Sequence, residues 1–337
     1  MSKELDHILW ELWLSRMDLP AVIIADEIGL FSAVNNGCKN VGKLSETLKL
    51  SKQGIDALCV FLASIGLLNK DCQTIELSQS SYDYLQPQSR FYWGPAIHVY
   101  KERIEYSNLL CRLRDKDKLS SPDGTHASNT WKTGELSTKI AKRVANVMHA
   151  NIVASAHSAV SHNVFKNTES LLDVGGGSGS FVSLLRDKYP LRDYGIFDLP
   201  AAIKIAQEEL EGDKIAQRVN LHAGNFFTDK LPTGYDGILF SNILHDWPKE
   251  TALFLAKKSY DALPSGGMVY IHEMILNESK NGPKIPAAFN WLMYVNHGSQ
   301  QYTLSELKYI LKETGFSDVC VEKHHPFFST VIAVKQY

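Results

Sequence analysis

Apolar residues recur at helical spacing through the first half of the chain. In the second half, short apolar runs alternate with helical stretches. Residues 5–17 place Ile8, Leu9, Leu12, Trp13 and Met17 on one stripe, with Trp10 beside it. So apolar a terminal helix must be covered, and a second subunit is the favoured cover. Residues 20–34 read as a helix ending at Asn35-Asn36-Gly37. Asn40 can cap a short helix through Leu48, and Ser51 can cap the next. In that next helix Ile55, Leu58, Cys59, Leu62 and Ile65 share a face, and Gly66 stops it. Residues 67–69 and 74–77 read as two small strands around a turn at 71–73. Helices followed by a hairpin predict a winged helix.

Residues 82–165 read as mostly helical, interrupted by the turn-rich piece 119–130. A helix over 137–161 carries Met148, His149, Asn151 and His157. From Thr168 onward strand and helix alternate, which predicts a largely parallel sheet. Strands are expected over 170–174, 193–197, 219–223, 237–241, 267–272, 318–323 and 329–335. The last two are close enough to pair as an antiparallel hairpin.

The stretch LLDVGGGSGSF, residues 171–181, organises the second half. An apolar strand runs into Gly175, Gly177 and Gly179, and helical spacing resumes at once. Such a turn brings backbone amides close to a ligand at a helix start. The dinucleotide fingerprint needs glycine at the sixth place, where this chain has Ser180. Asp173 precedes the turn by two residues and would repel a pyrophosphate. A cationic nucleoside fits better, and S-adenosylmethionine, with its amine and sulfonium, is the expected cofactor.

Later strand ends add candidates. Asp198 ends the second strand, where an acid can accept both ribose hydroxyls. Leu199 and Phe226 can cover the two faces of an adenine, and Asn225 can hydrogen-bond its edge. The run SNILHDWP, residues 241–248, leaves the fourth strand. It sets His245 just outside the sheet, where an imidazole can take a proton at neutral pH. Glu273, ending the fifth strand, can orient His245 through its other ring nitrogen.

Bulk properties remove several classes. Net charge is −2, and the outward face of the third winged-helix segment carries Lys52, Gln53, Asp56 and Ser64. One cation does not neutralise a run of phosphates, so nucleic acid is not an expected partner. A composition 44% hydrophobic and 21% charged is that of a globular chain, with no stretch long enough for a membrane span. The five cysteines are scattered, with no metal-type pair and no disulfide framework. No signal peptide is read at the amino terminus. A cytoplasmic protein without a metal is expected.

Together LLDVGGGSGSF, FDLP, GNFF, ILHDWPKE and HEMIL resemble the S-adenosylmethionine-dependent O-methyltransferases of the caffeic acid and acetylserotonin type, including their bacterial relatives. The front segments AVIIADEIGLFSAV and SKQGIDALCVFLASIGLL resemble that family's dimerisation domain. The resemblance implies an α/β Rossmann-like class I methyltransferase domain, with a mostly parallel seven-stranded sheet and an antiparallel last strand. It also implies a mainly α winged-helix dimerisation domain and a homodimer.

The expected boundaries are 1–95 for dimerisation, 96–165 for a helical connector lining the substrate pocket, and 166–337 for the catalytic domain. Implied roles are general base for His245 and flanking acid for Glu273. Gly175, Asp198, Asn225, Phe226 and Ser241 would line the cofactor site. Met148, His149, Asp246, Trp247, Phe289, Asn290, Met293 and Tyr294 are the substrate-pocket candidates, suited to a flat phenol, hydroxyindole or polyketide ring.

Three positions depart from the family pattern: Asn225 for an acid, Ser241 for a lysine, and Gln301 for a second glutamate flanking the histidine. They keep open a chain that binds S-adenosylmethionine and uses its charge for cyclisation, rearrangement or hydroxylation. A ligand-responsive regulator using the winged helix on DNA is the rival from another class.

Overall fold

A computed structural model describes residues 15, 18–50, 52–71, 74–102, 132–134, 137–210, 219–279, 283, 285–286, 289–290, 293 and 299–336. Apart from Ser15, the predicted helix over 5–17 is not fully among them, since only Ser15 of 1–17 is described. Ser51, the piece 119–130 and Tyr294 also lie outside the described residues. The chain forms two compact units, Met1–Ile104 and Glu105–Tyr337.

In the first unit the expected single helix over 20–34 is two helices, α1 (Asp18–Glu27) and α2 (Leu30–Asn35). Gly29 breaks them apart at φ 73°, a left-handed conformation glycine adopts without strain. Helix α3 (Val41–Leu48) starts where Asn40 Oδ1 accepts from Lys43 N at 2.9 Å. Helix α4 (Lys52–Ser64) follows, then the antiparallel pair β1 (Leu68–Lys70) and β2 (Ile75–Leu77). Leu30, Phe31, Leu44, Ile55, Cys59 and Leu62 fill the core of this winged helix. Helices α5 (Gln79–Tyr84) and α6 (Gly94–His98) complete the described part. The buried Asp26 carboxylate ties α1 to α6, accepting from Tyr92 Oη at 2.6 Å and contacting His98 Nε2 at 2.7 Å.

The second unit opens with α7 (Thr138–Ser161), capped by Ser137. Then come β3 (Ser170–Val174), α8 (Ser180–Lys188), β4 (Asp193–Asp198), α9 (Pro200–Leu210), β5 (Val219–Ala223) and β6 (Gly237–Ser241). After them follow α10 (Lys249–Ala262), β7 (Met268–Met274), α11 (Leu304–Glu313), β8 (Phe316–Lys323) and β9 (Phe328–Lys335). The seven strands lie in the order β5-β4-β3-β6-β7-β9-β8. Strands β3 to β7 run parallel, and β9 is antiparallel to both its neighbours. Runs such as Ile238-Leu239-Phe240 are buried because helices cover both faces of the sheet. One face packs on α7, α8 and α9, the other on α10 and α11.

The chain steps outward from β3 to β5, then returns to β6 on the far side of β3. That reversal opens a crevice at the strand ends between β3 and β6, where ligands of open α/β sheets bind. Strand β7 continues two residues beyond the predicted 272, so Glu273 is a strand residue paired with Ser329.

Candidate active site

The glycine turn sits at that crevice. Gly175 N donates to Phe197 O at 2.8 Å, lacing β3 to β4. Gly175, Gly177 and Gly179 take φ values of 76°, 56° and 81°. A methyl on Gly175 would lie 2.3 Å from Ile243 Cδ1, whereas one on Gly177 would meet no atom within 4 Å. The space above Gly177 is open, and the rest of the turn is tight.

Asp198 closes the turn from the side. Its Oδ2 accepts from Gly177 N at 2.9 Å and its Oδ1 from Leu199 N at 2.7 Å. Burial pushes its carboxyl up to about 6, against the pull of those two amides. Asp173 is buried beneath the turn, and its Oδ1 has no partner. Burial, with the Asp198 charge adding, pushes Asp173 up to about 8. Buried Asp173, half-buried Asp198 and the open glycine cradle gather negative charge at one place. Ser241 Oγ, at the end of β6, is likewise buried without a partner. Acceptor oxygens and negative charge of this kind fit a cationic nucleoside such as S-adenosylmethionine.

Leu199 and Asn225 lie together against the segment Lys132–Gly134, which no local pattern places there. Asn225 Nδ2 donates to Lys132 O at 2.9 Å, and a Cβ on Gly134 would sit 3.7 Å from both Asn225 Nδ2 and Leu199 Cδ2. Asn225 Oδ1 accepts from Phe227 N at 2.9 Å, a local turn bond. Its amide therefore holds two loops, with acceptor capacity left on the oxygen. Phe226 packs edge-on to Trp247 at 6.0 Å, and Phe227 does so at 4.8 Å. Trp247 is buried in that aromatic cluster, and its carbonyl accepts from Tyr302 Oη at 2.9 Å.

The loop that carries His245 leaves β6 through Asn242, whose φ of 54° is tolerated better by asparagine than by most residues. A short 3-10 turn, Leu244–Asp246, follows. Glu273 Oε1 anchors it, accepting from Leu244 N at 2.8 Å and His245 N at 3.2 Å. The other oxygen, Oε2, stands 3.6 Å from His245 Nδ1, an ion-pair distance rather than a hydrogen bond. Asp246 Oδ1 stands 3.5 Å from His245 Nε2. The imidazole is thus bracketed by two carboxylates. Burial opposes its charge, but Glu273 and Asp246 together outweigh burial and raise its pKa above the ordinary histidine value.

Phe289 presents its ring edge-on to His245 at 5.6 Å. Asn290 Oδ1 accepts from Gln301 N at 2.8 Å, and both polar atoms of the buried Gln301 side chain have no partner. Met293 is buried. On α7, Met148 is exposed, and His149 Nδ1 lies 2.8 Å from Ser180 Oγ at the start of α8. The structure thus groups His245, Glu273, Asp246 and Phe289 in one place. It sets His149 at the start of α8, next to the glycine turn, and Trp247 in the core. Among the described residues no cluster could hold a metal ion, and no helix is long and apolar enough to cross a membrane.

A glycine cradle over Asp173 and Asp198, with a carboxylate-bracketed histidine on the same open α/β sheet, has the parts of a nucleoside-dependent group transferase. The chain matches the family profile described as an O-methyltransferase domain over residues 114–317. It belongs to that family, and is an S-adenosylmethionine-dependent O-methyltransferase. It is 26% identical to a 3-hydroxy-5-methyl-1-naphthoate 3-O-methyltransferase of Streptomyces sahachiroi, over 88% of this chain and 85% of that one. It is 24% identical to the N,N-dimethyltransferase OxyT of Streptomyces rimosus, over 87% and 85%. In fold it is similar to human N-acetylserotonin methyltransferase in complex with SAM. The TM-score is 0.84 at 19% identity, covering 100% of this chain and 99% of that one.

Proposed function

We propose that the acceptor is a hydroxyl on a small, flat aromatic or polyketide-like molecule, and that His245 is the general base. The observation that carries this is the buried imidazole held between Glu273 and Asp246 at the crevice. S-adenosylmethionine, when bound, supplies an electrophilic methyl on a cationic sulfur. The protein's own task is to align an oxygen and remove its proton. Glu273 favours the tautomer with the proton on Nδ1, which leaves Nε2 as the accepting nitrogen. A phenol, with pKa near ~10, is protonated at neutral pH and gains from such a base. Alignment by the pocket is worth on the order of 7–11 kcal/mol in well-oriented cases.

Phe289, Asn290, Met293, Tyr294, Met148 and Asp246 are the proposed pocket residues. Trp247 supports them from the core, and His149 serves the cofactor side. Gly175, Gly177, Asp198, Leu199, Asn225, Phe226, Asp173 and Ser241 are the proposed cofactor residues. One relative is named for a hydroxynaphthoate and the other for a nitrogen. The test is therefore methyl-labelled S-adenosylmethionine with panels of hydroxynaphthoates, hydroxyindoles and the matching amines. Label in an aryl ether with equal adenosylhomocysteine is expected. Cofactor binding with no adenosylhomocysteine from any panel would reject this substrate class, and label on the amines alone would move the acceptor to nitrogen.

We further propose a cytoplasmic homodimer formed through the N-terminal unit. The apolar stripe Ile8, Leu9, Leu12, Trp13 and Met17 and the scattered cysteines support it. Light scattering should give twice the 37.7 kDa chain mass. A monomer at micromolar concentration rejects it.

A further inference from the structure

Four side chains from three separate parts of the chain meet on the α7 side of the sheet, behind the loop that carries His245. Ser155 comes from α7, His272 from β7, Thr330 from β9 and His324 from the turn before β9. His272 Nδ1 is 3.1 Å from Thr330 Oγ1, and its Nε2 is 3.0 Å from Ser155 Oγ. His324 Nε2 is 3.0 Å from the same Thr330 Oγ1. The two imidazoles stack at 5.2 Å with 7° between their planes, and Phe328 stacks on His272 at 5.1 Å. Both histidines are buried, and His324 Nδ1 has no partner.

Hydroxyl chemistry orders the protons along this chain. Ser155 has one proton and donates it to Ile152 O at 3.0 Å. It therefore accepts from His272 Nε2–H. His272 Nδ1 is then an acceptor, served by the Thr330 hydroxyl proton. Thr330 Oγ1 in turn accepts from His324 Nε2–H. Every link has one donor and one acceptor, and the series ends at His324 Nδ1, an acceptor that nothing serves.

Among the described residues, the titratable groups acting on the pair are His325, in the same turn, and His162, at the end of α7; Glu322 of β8, paired with Thr330, is exposed to solvent. Helix α8 contributes the uncharged Phe181, edge-on to His272 at 5.2 Å. Burial, with His324 and His325 adding, holds His272 well below the ordinary histidine value. Burial, with His325 and His162 adding, lowers His324 to about 4. The turn is tied down further, since Ser158 Oγ on α7 donates to His324 O.

The strand end that carries this chain also carries the reactive loop. His272 O accepts from Asn242 N at 3.1 Å, and the next residue, Glu273, holds Leu244 N and His245 N. We propose that the directed chain His324–Thr330–His272–Ser155 positions the loop 242–246, and that His324 Nδ1 is where acid first acts on it. The proposal rests on the proposed function only in reading that loop as the reactive one. Both imidazoles are neutral in the fold and titrate near ~6.5 when unfolded. Their stabilisation is complete above that value and is lost as pH falls from ~6.5 toward 4.

The test is long-range proton–nitrogen spectroscopy of the full chain labelled on histidine, between pH 8 and 5. His272 and His324 are expected as neutral Nε2–H tautomers at pH 6, where an ordinary imidazole is mostly charged. Thr330→Val is expected to shift the His245 ring signals, and Thr330→Ser to restore them. Should Thr330→Val fail to fold, Ser155→Ala breaks the far link and is read in the same way. An Nδ1–H tautomer or a charged ring at His324 at pH 6 overturns the directed chain. Unmoved His245 signals in the folded variant overturn the positioning role. These spectra read the tautomers whether or not His245 proves to be the base.

Discussion

His245→Ala is expected to lower kcat by about 10²–10⁴-fold, the usual worth of a general base, while S-adenosylmethionine binding stays near wild type. The deficit should shrink as pH rises toward ~10, because a phenol then ionises without help. Wild type should lose activity as pH falls through a pKa above the ordinary histidine value, since Glu273 and Asp246 favour the imidazolium. A base must be neutral to work, so the optimum lies on the alkaline side. Glu273→Gln removes one of the two charges and should move the acid limb downward, its amide oxygen still able to accept from Leu244 N and His245 N. Steady-state pH profiles of the three proteins check this. The imidazole is buried against Phe289, so the alanine variant's thermal midpoint must be measured alongside. Near-wild-type turnover by a folded His245→Ala protein ends the assignment.

Local chemistry made much of this site legible. Glycine at three alternate places signals positive φ, which Gly175, Gly177 and Gly179 all adopt. An acid at the end of an apolar run signals a strand end facing a ligand, and Asp198 sits there against two amides. The Asn225 side chain shows where such reading stops. Its bond to Phe227 N is a turn that spacing can foresee. Its bond to Lys132 O joins positions 93 residues apart, and no local signal announces that.

The same division runs through the reactive loop. The sequence makes His245 a candidate base and Asp246 and Trp247 candidate pocket residues. A 3-10 turn fans them out. His245 enters the crevice, Asp246 swings back to 3.5 Å from its Nε2, and Trp247 goes into the core beside Phe226 and Phe227. Helical or strand periodicity assigns faces by repeat, and a three-residue turn has no repeat to follow. The Ser155, His272, His324 and Thr330 chain was invisible for a related reason. It needs the register of β7 on β9, which pairs His272 with Thr330, and the hairpin that returns His324.

Asp173→Asn is expected to weaken S-adenosylmethionine binding by about 10- to 150-fold, the loss of one hydrogen bond between charged groups at ~1.5–3 kcal/mol. Before the cofactor binds, the Asp173 carboxyl is pushed up to about 8 by burial and by Asp198, so it carries a proton at pH 7. An incoming ammonium favours the carboxylate and expels that proton. Wild-type affinity should therefore fall as pH drops below about 8, by up to tenfold per unit. Calorimetry at pH 7 in two buffers of different ionisation enthalpy should count close to one proton released, and none for the variant. The empty protein should respond in the opposite sense. A carboxyl whose pKa is raised by folding adds stability at low pH, and that stability is lost as pH rises toward about 8. Asparagine resembles the neutral acid in shape and never acquires the charge. The variant's thermal midpoint should thus exceed wild type's, by more at pH 9 than at pH 6. Asp198→Asn separates this effect from a general loss of the site: it removes a hydroxyl acceptor and leaves Asp173 its proton to release, though a smaller fraction of one at pH 7, since the Asp198 charge no longer helps raise the Asp173 pKa. If Asp173→Asn binds the cofactor like wild type, the amine is held by other groups and the buried acid serves the fold alone.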